Sequence, residues 1–345
     1  MKTQWANTEM FRAGCMMWAA ICIVSAGGLA AEPGSAEFRF TLNEEGEYVF
    51  DTGVLRGKLR QDDKTLGLSS VVHVPSGTRL DGAYGIFSYY RVFTTNKRYG
   101  HAAWEWPCIS KLLPDGAVQI FWPADENRPI ETSATYRIAG QSAIDLETVV
   151  KAQKDLPRFE VFLASYFRET LAIPFVYVRA NPESERKGAF LRAKKSFGDW
   201  QMFPATTEAL PIIRDGRWRQ EPNPVQWAIM PYMAAPVGIR RSATADLAVA
   251  LMAPPQDCFA VSTPYEGESH YSLYLSLFGR DLKAAETAKA RSRLVVAAGA
   301  SNDAVLDLYR DYVKGLPDSA VSRASPPGQA PRRERLAPSH LSPSD

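Results

Sequence analysis

The chain is poor in the residues that most often do chemistry at neutral pH: it has four histidines and four cysteines in 345 residues. No C-x-x-C pair and no Cys/His spacing suits a tetrahedral zinc site. G-x-S-x-G, P-loop, G-x-G-x-x-G and H-E-x-x-H patterns are absent. Their absence disfavours serine-hydrolase, NTPase, dinucleotide and zincin chemistry. No loop is dense in Asp and Glu, so nothing suggests a calcium site. Neither a metal nor a cofactor is expected. An excess of one charge is missing too. The 40 Lys+Arg against 38 Asp+Glu leave a net charge of +2, and no global field argues for nucleic acid or an anionic membrane. No internal repeat is visible.

What is present is an ordinary globular composition, 46% hydrophobic and 23% charged, with 24 prolines and 23 glycines spread along the chain as in a fold with many turns. The N-terminus differs. Lys2 and Arg12 precede the uncharged run 13–31, whose apolar heart is MMWAAICIV (Met16 to Val24), followed by small residues up to Ala30-Ala31. That order predicts a signal peptide over 1–31, cleaved after Ala30 or Ala31, and a secreted or periplasmic protein. The apolar core is shorter than the roughly 20 residues of a spanning helix, so no membrane span is expected after cleavage; an uncleaved anchor is the alternative. Cys15 and Cys22 fall in this segment. Cys108 and Cys258 remain, as one disulfide or as two separately buried thiols.

From Phe38 onward short strands follow one another. Phe38, Phe40 and Leu42 alternate with polar residues, and EYVFD, VLRGKLR, SSVVHV and YGIFSYYRVF are separated by turn residues. In AIDLETVVKA, Ile144, Leu146, Thr148 and Val150 share one face. AFLRAKKSFGDW is ambiguous between strand and helix. Residues 201–223 read as a long loop, a length that is often functional. DLAVALMA, CFAVS, YSLYLSLF and ARSRLVVAA close the strand region. NDAVLDLYRDYVKG then predicts a helix capped by Ser301 or Asn302 and stopped by Gly315 and Pro317. The expectation is an all-β protein: a large antiparallel β-sandwich over 32–317 with one C-terminal helix. Residues 318–345 read as a disordered tail, locally basic at Arg332, Arg333 and Arg335.

The segment Tyr271 to Val296, YSLYLSLFGRDLKAAETAKARSRLVV, carries a resemblance. Its FGRDLKAAET resembles the G-x-x-L-x-x-G-E turn between closing strands of the galactose-mutarotase-like supersandwich, with Ala285 where the pattern has glycine. The match covers under a tenth of the chain. It implies a concave sheet face that binds a sugar, with histidine and carboxylate groups acting on it. No individual catalytic residue carries over.

Candidate site residues therefore come from the chain itself. Tyr89 to Pro107, YYRVFTTNKRYGHAAWEWP, concentrates aromatics and charges. Tyr89, Tyr90, Trp104 and Trp106 supply flat faces for a sugar ring, with Arg91, Asn96 and Tyr99 between them, and Lys97 and Arg98 suit an anionic group such as a uronate carboxylate. Gly100 offers a close backbone approach to a ligand. His101 suits general acid–base work, with Glu105 between two tryptophans. The plainer alternative is a half-buried strand carrying two core tryptophans. A second group, Glu266, Glu268 and His270, lies on the loop before YSLYLSLF. Its carboxylates are too close in sequence to be diagnostic of a glycosidase pair. The expected function is carbohydrate binding or processing on a poly- or oligosaccharide, acidic in one version, by lyase, epimerase or hydrolase chemistry. That requires the two groups to converge. The rivals are a non-catalytic glycan-binding module and a structural cell-envelope protein.

Overall fold

The computed structural model describes residues 38–59, 65–180 and 188–317; the expected signal segment and tail lie outside the described residues. Two large sheets dominate. One has seven strands, in the order 228–229, 200–204, 258–264, 272–282, 156–166, 88–94, 97–98. The other has nine, in the order 188–192, 173–179, 233–241, 247–252, 287–298, 143–152, 130–140, 118–122, 109–112. Five short strands between Thr41 and Arg79 make a third sheet in sequence order. Pairing is antiparallel among the described strands except Gln201–Met202 against Ala228–Ile229. The protein is an all-β sandwich, as the spacing of short strands and turns predicts.

Strand periodicity explains how the sheets stack. On Leu156–Tyr166, Val161 and Leu163 enter a core shared with Ile144, Leu146, Leu251 and Leu294 of the nine-stranded sheet. Their neighbours Phe162, Ala164 and Tyr166 point the other way, into a second apolar cluster. Ser272–Leu282 repeats this, with Leu273 and Leu275 inward and Tyr274 outward. Successive side chains alternate faces in a strand, so a strand apolar at every position is buried on both. The outer face of the seven-stranded sheet is therefore a second apolar surface, and residues 205–227 fold over it.

That covering segment is the expected long loop, shortened at its start by the strand Trp200–Pro204 and containing a helical turn, Leu210–Ile213. AFLRAKKSFGDW resolves into the strand Gly188–Arg192 and a turn at Lys195–Phe197. The C-terminal helix forms at Asn302–Lys314, and Ser301 Oγ caps it by accepting from Ala304 N–H at 3.1 Å. Val305, Tyr309 and Tyr312 cover Val237, Ile239, Met252 and Val295 on the outer face of the nine-stranded sheet. Cys258 is buried and its thiol donates to Ala260 O at 3.1 Å; no disulfide joins it to Cys108.

The closing turn shows why its residue types matter. Gly279 has φ +65°, and an added Cβ would meet the Phe259 ring at 2.3 Å. Leu282 is buried. Glu286 accepts from Lys283 N–H at 2.9 Å and pairs with Arg280 at 2.7 Å. Ala285, standing for the expected glycine, has φ +65°, a conformation that L-residues adopt at a cost.

Candidate functional site: an aromatic cleft

The outer face of the seven-stranded sheet opens into a cleft of about 400 Å³. Its floor is Phe162 and Tyr166 from one strand, Tyr274 from the next and Tyr90 from the third. Trp200, Trp218, Trp227 and the segment Asn223–Val225 form its walls, with Tyr84 and His270 completing it. The rings brace one another. Phe162 stacks on Tyr274 at 4.6 Å, Trp218 meets Phe162 edge-on at 4.7 Å, and Trp227 meets Trp218 edge-on at 5.1 Å. Packed rings of this kind hold fixed faces toward a ligand.

Arg91 lies at this cleft and is only 3% exposed. Its Nη2 donates to Asn223 O at 2.7 Å and to Tyr90 OH at 3.1 Å, and the guanidinium lies over the Tyr90 and Trp218 rings at 4.7 and 5.4 Å. Its Nε and Nη1 have no protein partner. The indole N–H groups of Trp218 and Trp227 and the Nε of neighbouring Arg98 are also buried without a partner. Buried donors are normally satisfied; here several orphans gather at one cleft, and all are donors. Arg98 donates to Pro222 O and His101 O. Burial, and next the nearby charge of Arg91, lowers its pKa below the ordinary arginine value.

His270 supplies the titratable group. Its Nδ1 lies 2.6 Å from Glu268 Oε1, and Glu268 Oε2 accepts from the His270 backbone N–H at 2.9 Å. The ring is 5.8 Å from Trp200 and 6.3 Å from Tyr166. The hydrogen bond to Glu268 raises His270 above the ordinary histidine value, with burial opposing. Burial pushes Glu268 up, but the two bonds from His270, together with the charges of His270 and Arg240, bring the carboxyl below its ordinary value. With Nδ1 donating to a carboxylate, Nε2 is the nitrogen left to exchange a proton with a ligand. Among the described residues no Asp or Glu lines the cleft itself.

The two expected groups meet here only in part. Tyr90, Arg91 and His270 line the cleft together. Trp104 is 7% exposed and sandwiched between Tyr84 and Tyr90, at 5.5 and 4.6 Å, so it backs the cleft's rim. It sits on a 3-10 turn, Ala103–Glu105, in place of the alternating strand considered above. Tyr99 and Trp106 are buried in the main core, which makes them packing residues. Gly100 comes close to Trp106, not to the cleft: a Cβ there would lie 3.1 Å from the indole nitrogen. Asn96 forms the tip of the turn with φ +48° and accepts from Gln220 at 2.9 Å. His101 and Glu105 pair with each other at 2.9 Å on the surface, and neither lines the cleft. Glu266 is taken by Arg192, so the two loop carboxylates have different partners. Among the described residues no group of three or more His, Cys, Asp or Glu could hold a metal ion, and no helix is long and apolar enough to cross a membrane.

Most of the cleft's aromatics were outside the sequence-predicted set. That set followed local density, whereas the cleft takes every second residue from strands far apart in sequence. The available signal was the strands FEVFLASYF and YSLYLSLF, apolar on both faces with aromatics on the second, and the tryptophan-rich RWRQEPNPVQW.

No family model matches the chain, and no curated protein matches it. Solved structures do match. An α-N-acetylgalactosaminidase from Bifidobacterium bifidum is 11% identical over 80% of this chain and 37% of its own, with a TM-score of 0.43. A heparan sulfate lyase from Pedobacter heparinus is 8% identical over 76% of this chain and 37% of its own, at 0.42. A galactose 1-epimerase from Lactobacillus acidophilus is 9% identical over 76% of this chain and 98% of its own, at 0.40. This chain thus spans well under half of the first two. At these identities and TM-scores the matches add no argument to the architecture itself, which is an all-β sandwich.

Proposed function

We propose that the cleft binds a carbohydrate bearing an acidic group. The cluster of orphan donors carries this proposal: Arg91 Nε and Nη1, Trp218 Nε1 and Trp227 Nε1 are buried beside a cavity and lack acceptors. A ligand rich in oxygen acceptors satisfies them, and the aromatic floor stacks on the C–H face of a sugar ring. Arg91 and Arg98, two neighbouring cations with no carboxylate bonded to either, favour a carboxylate or sulfate substituent.

For chemistry, His270 is the proton carrier and Glu268 its partner. A hydrolase with paired carboxylates flanking the bond is disfavoured, because the cleft is lined by none. β-Elimination, as in a lyase, can run on one such carrier, which takes the proton beside a uronate carboxylate and returns it to the glycosidic oxygen as that C–O bond breaks and a C=C bond forms. Inversion at a carbon, as in an epimerase, needs a second carrier on the opposite face. Export through the 1–31 segment is part of the proposal, and the mass of the mature protein tests it: a chain beginning at residue 31 or 32 is expected.

The decisive measurement is thermal unfolding of the protein across neutral and acidic glycans. A ligand that binds only the folded state raises the midpoint by mass action. A rise with acidic glycans alone, lost in Arg91→Met, is expected. No rise with any glycan at millimolar concentration overturns the proposal and favours a structural envelope role. Binding without turnover, unchanged in His270→Gln, leaves a glycan-binding module.

A further inference from the structure

Arg240 belongs to the strand Met233–Arg241 of the nine-stranded sheet, yet its side chain acts on the other sheet. It is fully buried. Its Nη2 donates to Ser272 O at 2.7 Å and to Thr263 Oγ1 at 3.1 Å, and its Nη1 donates to Ala172 O at 2.8 Å. Thr263 Oγ1 donates to the same Ser272 carbonyl at 2.9 Å. All three of its acceptors are neutral. A buried guanidinium held by neutral acceptors is costly to keep, and an apolar side chain of similar volume is the better choice for packing alone.

The place it acts on explains the cost. Ser272 ends the loop that holds Glu268 and His270, and its Oγ donates to Tyr274 OH at 2.6 Å in the cleft floor. Tyr166 and Trp200 face His270 from two other strands of the sheet. Glu266, on the same loop, is taken by Arg192. Against burial, the two bonds from His270 lead the effects that lower the Glu268 pKa, and the charge of Arg240 is the smallest of them. Burial brings Arg240 itself down to about 9, so it is still protonated at neutral pH.

We propose that Arg240 is a positioning residue of the cleft. It anchors the Ser272 end of the loop from the opposite sheet, and so holds the Glu268–His270 pair at the cleft with His270 Nδ1 on the carboxylate and Nε2 available. The meaning of Nε2 rests on the carbohydrate proposal; the anchor does not.

The test is a pH titration of the histidine ring signals by NMR in the full chain, with His270 assigned through His270→Gln. The His270 inflection reports its bond to Glu268, which raises it above the ordinary histidine value. It is expected to fall toward that value in Arg240→Met and Arg240→Gln, where the loop loses its anchor, and to hold its wild-type position in Arg240→Lys. An unchanged inflection in either folded neutral variant overturns the proposal, since a merely structural arginine would lower stability without moving it. If neither neutral variant folds, Thr263→Val decides, because it removes an acceptor of Arg240 Nη2 and the second donor to Ser272 O: its His270 inflection must also fall. An unchanged inflection there overturns the proposal. A failed glycan panel with the expected shift would break the carbohydrate proposal alone.

Discussion

Arg91 and Arg217 are both buried arginines beside the same aromatic cluster, and they are provided for in opposite ways. Arg217 is fully enclosed and saturated: Nη1 meets Glu160 at 2.7 Å, Nε and Nη2 meet Asp215 at 3.0 and 2.8 Å, and Nη2 also meets Arg158 O at 2.8 Å. It pins the turn that carries Trp218 to the strand beneath. Arg91 has a backbone carbonyl, a phenol and two unanswered nitrogens. A cation whose partners are all inside the fold is there for the fold. Arg91, whose partners are missing beside a cavity, marks where something from outside belongs.

The largest effect should come from breaking the saturated site. Arg217→Met leaves two buried carboxyls without their cation and should cost about 3–5 kcal/mol in urea unfolding. Arg91→Met should do the reverse: stability stays within about 1 kcal/mol, while affinity for an acidic glycan falls about 10- to 100-fold by calorimetry, the value of charge-assisted hydrogen bonds. Equal losses of stability in the two variants would erase the distinction.

The His270–Glu268 pair gives a smaller, pH-shaped effect. His270 is raised above 6.5, so its contribution to stability is complete below 6.5 and is lost as pH rises through the folded value. Glu268 is lowered below 4.5, so its contribution is complete above 4.5 and is lost as pH falls through its folded value. The stability difference between wild type and His270→Gln should therefore be greatest between about 4.5 and 6.5 and shrink on both sides. With the ring 47% exposed, the amplitude is small. A flat difference from pH 4 to 9 would show that the pair is not formed in solution. The smallest effect, and a control for the others, is Ala285→Gly. Relief of the left-handed alanine should add about 0.5–1 kcal/mol to stability and leave the glycan response unchanged.

The same contrast sorts what was legible in the sequence. The strands, the closing turn and the final helix announce themselves through local rules: period two, turn residues, a serine cap. Ile144, Leu146, Thr148 and Val150 are all buried on one face as their spacing predicts. The site was legible only where one strand contributed two neighbours, Tyr90 and Arg91, and where a loop residue, His270, fell beside them. Trp104 and Trp106, adjacent in density, part company because a 3-10 turn sends one behind the cleft and the other into the main core. Trp104→Ala is therefore a packing mutation first, at about 3–5 kcal/mol. Trp200, Trp218 and Trp227 converge through pairing between distant strands and through the 205–227 fold-over, which no window of residues contains.

The strand Thr287–Ala298 is the last of the described strands, yet it lies inside the nine-stranded sheet, between 143–152 and 247–252. During synthesis those two strands must wait, each with an open edge, until the residues near 298 have left the ribosome. Open edges invite wrong pairing, and contacts this far apart in sequence form slowly. The sheet thus completes in one late insertion, and a chain halted before residue 287 holds two half-sheets that cannot join.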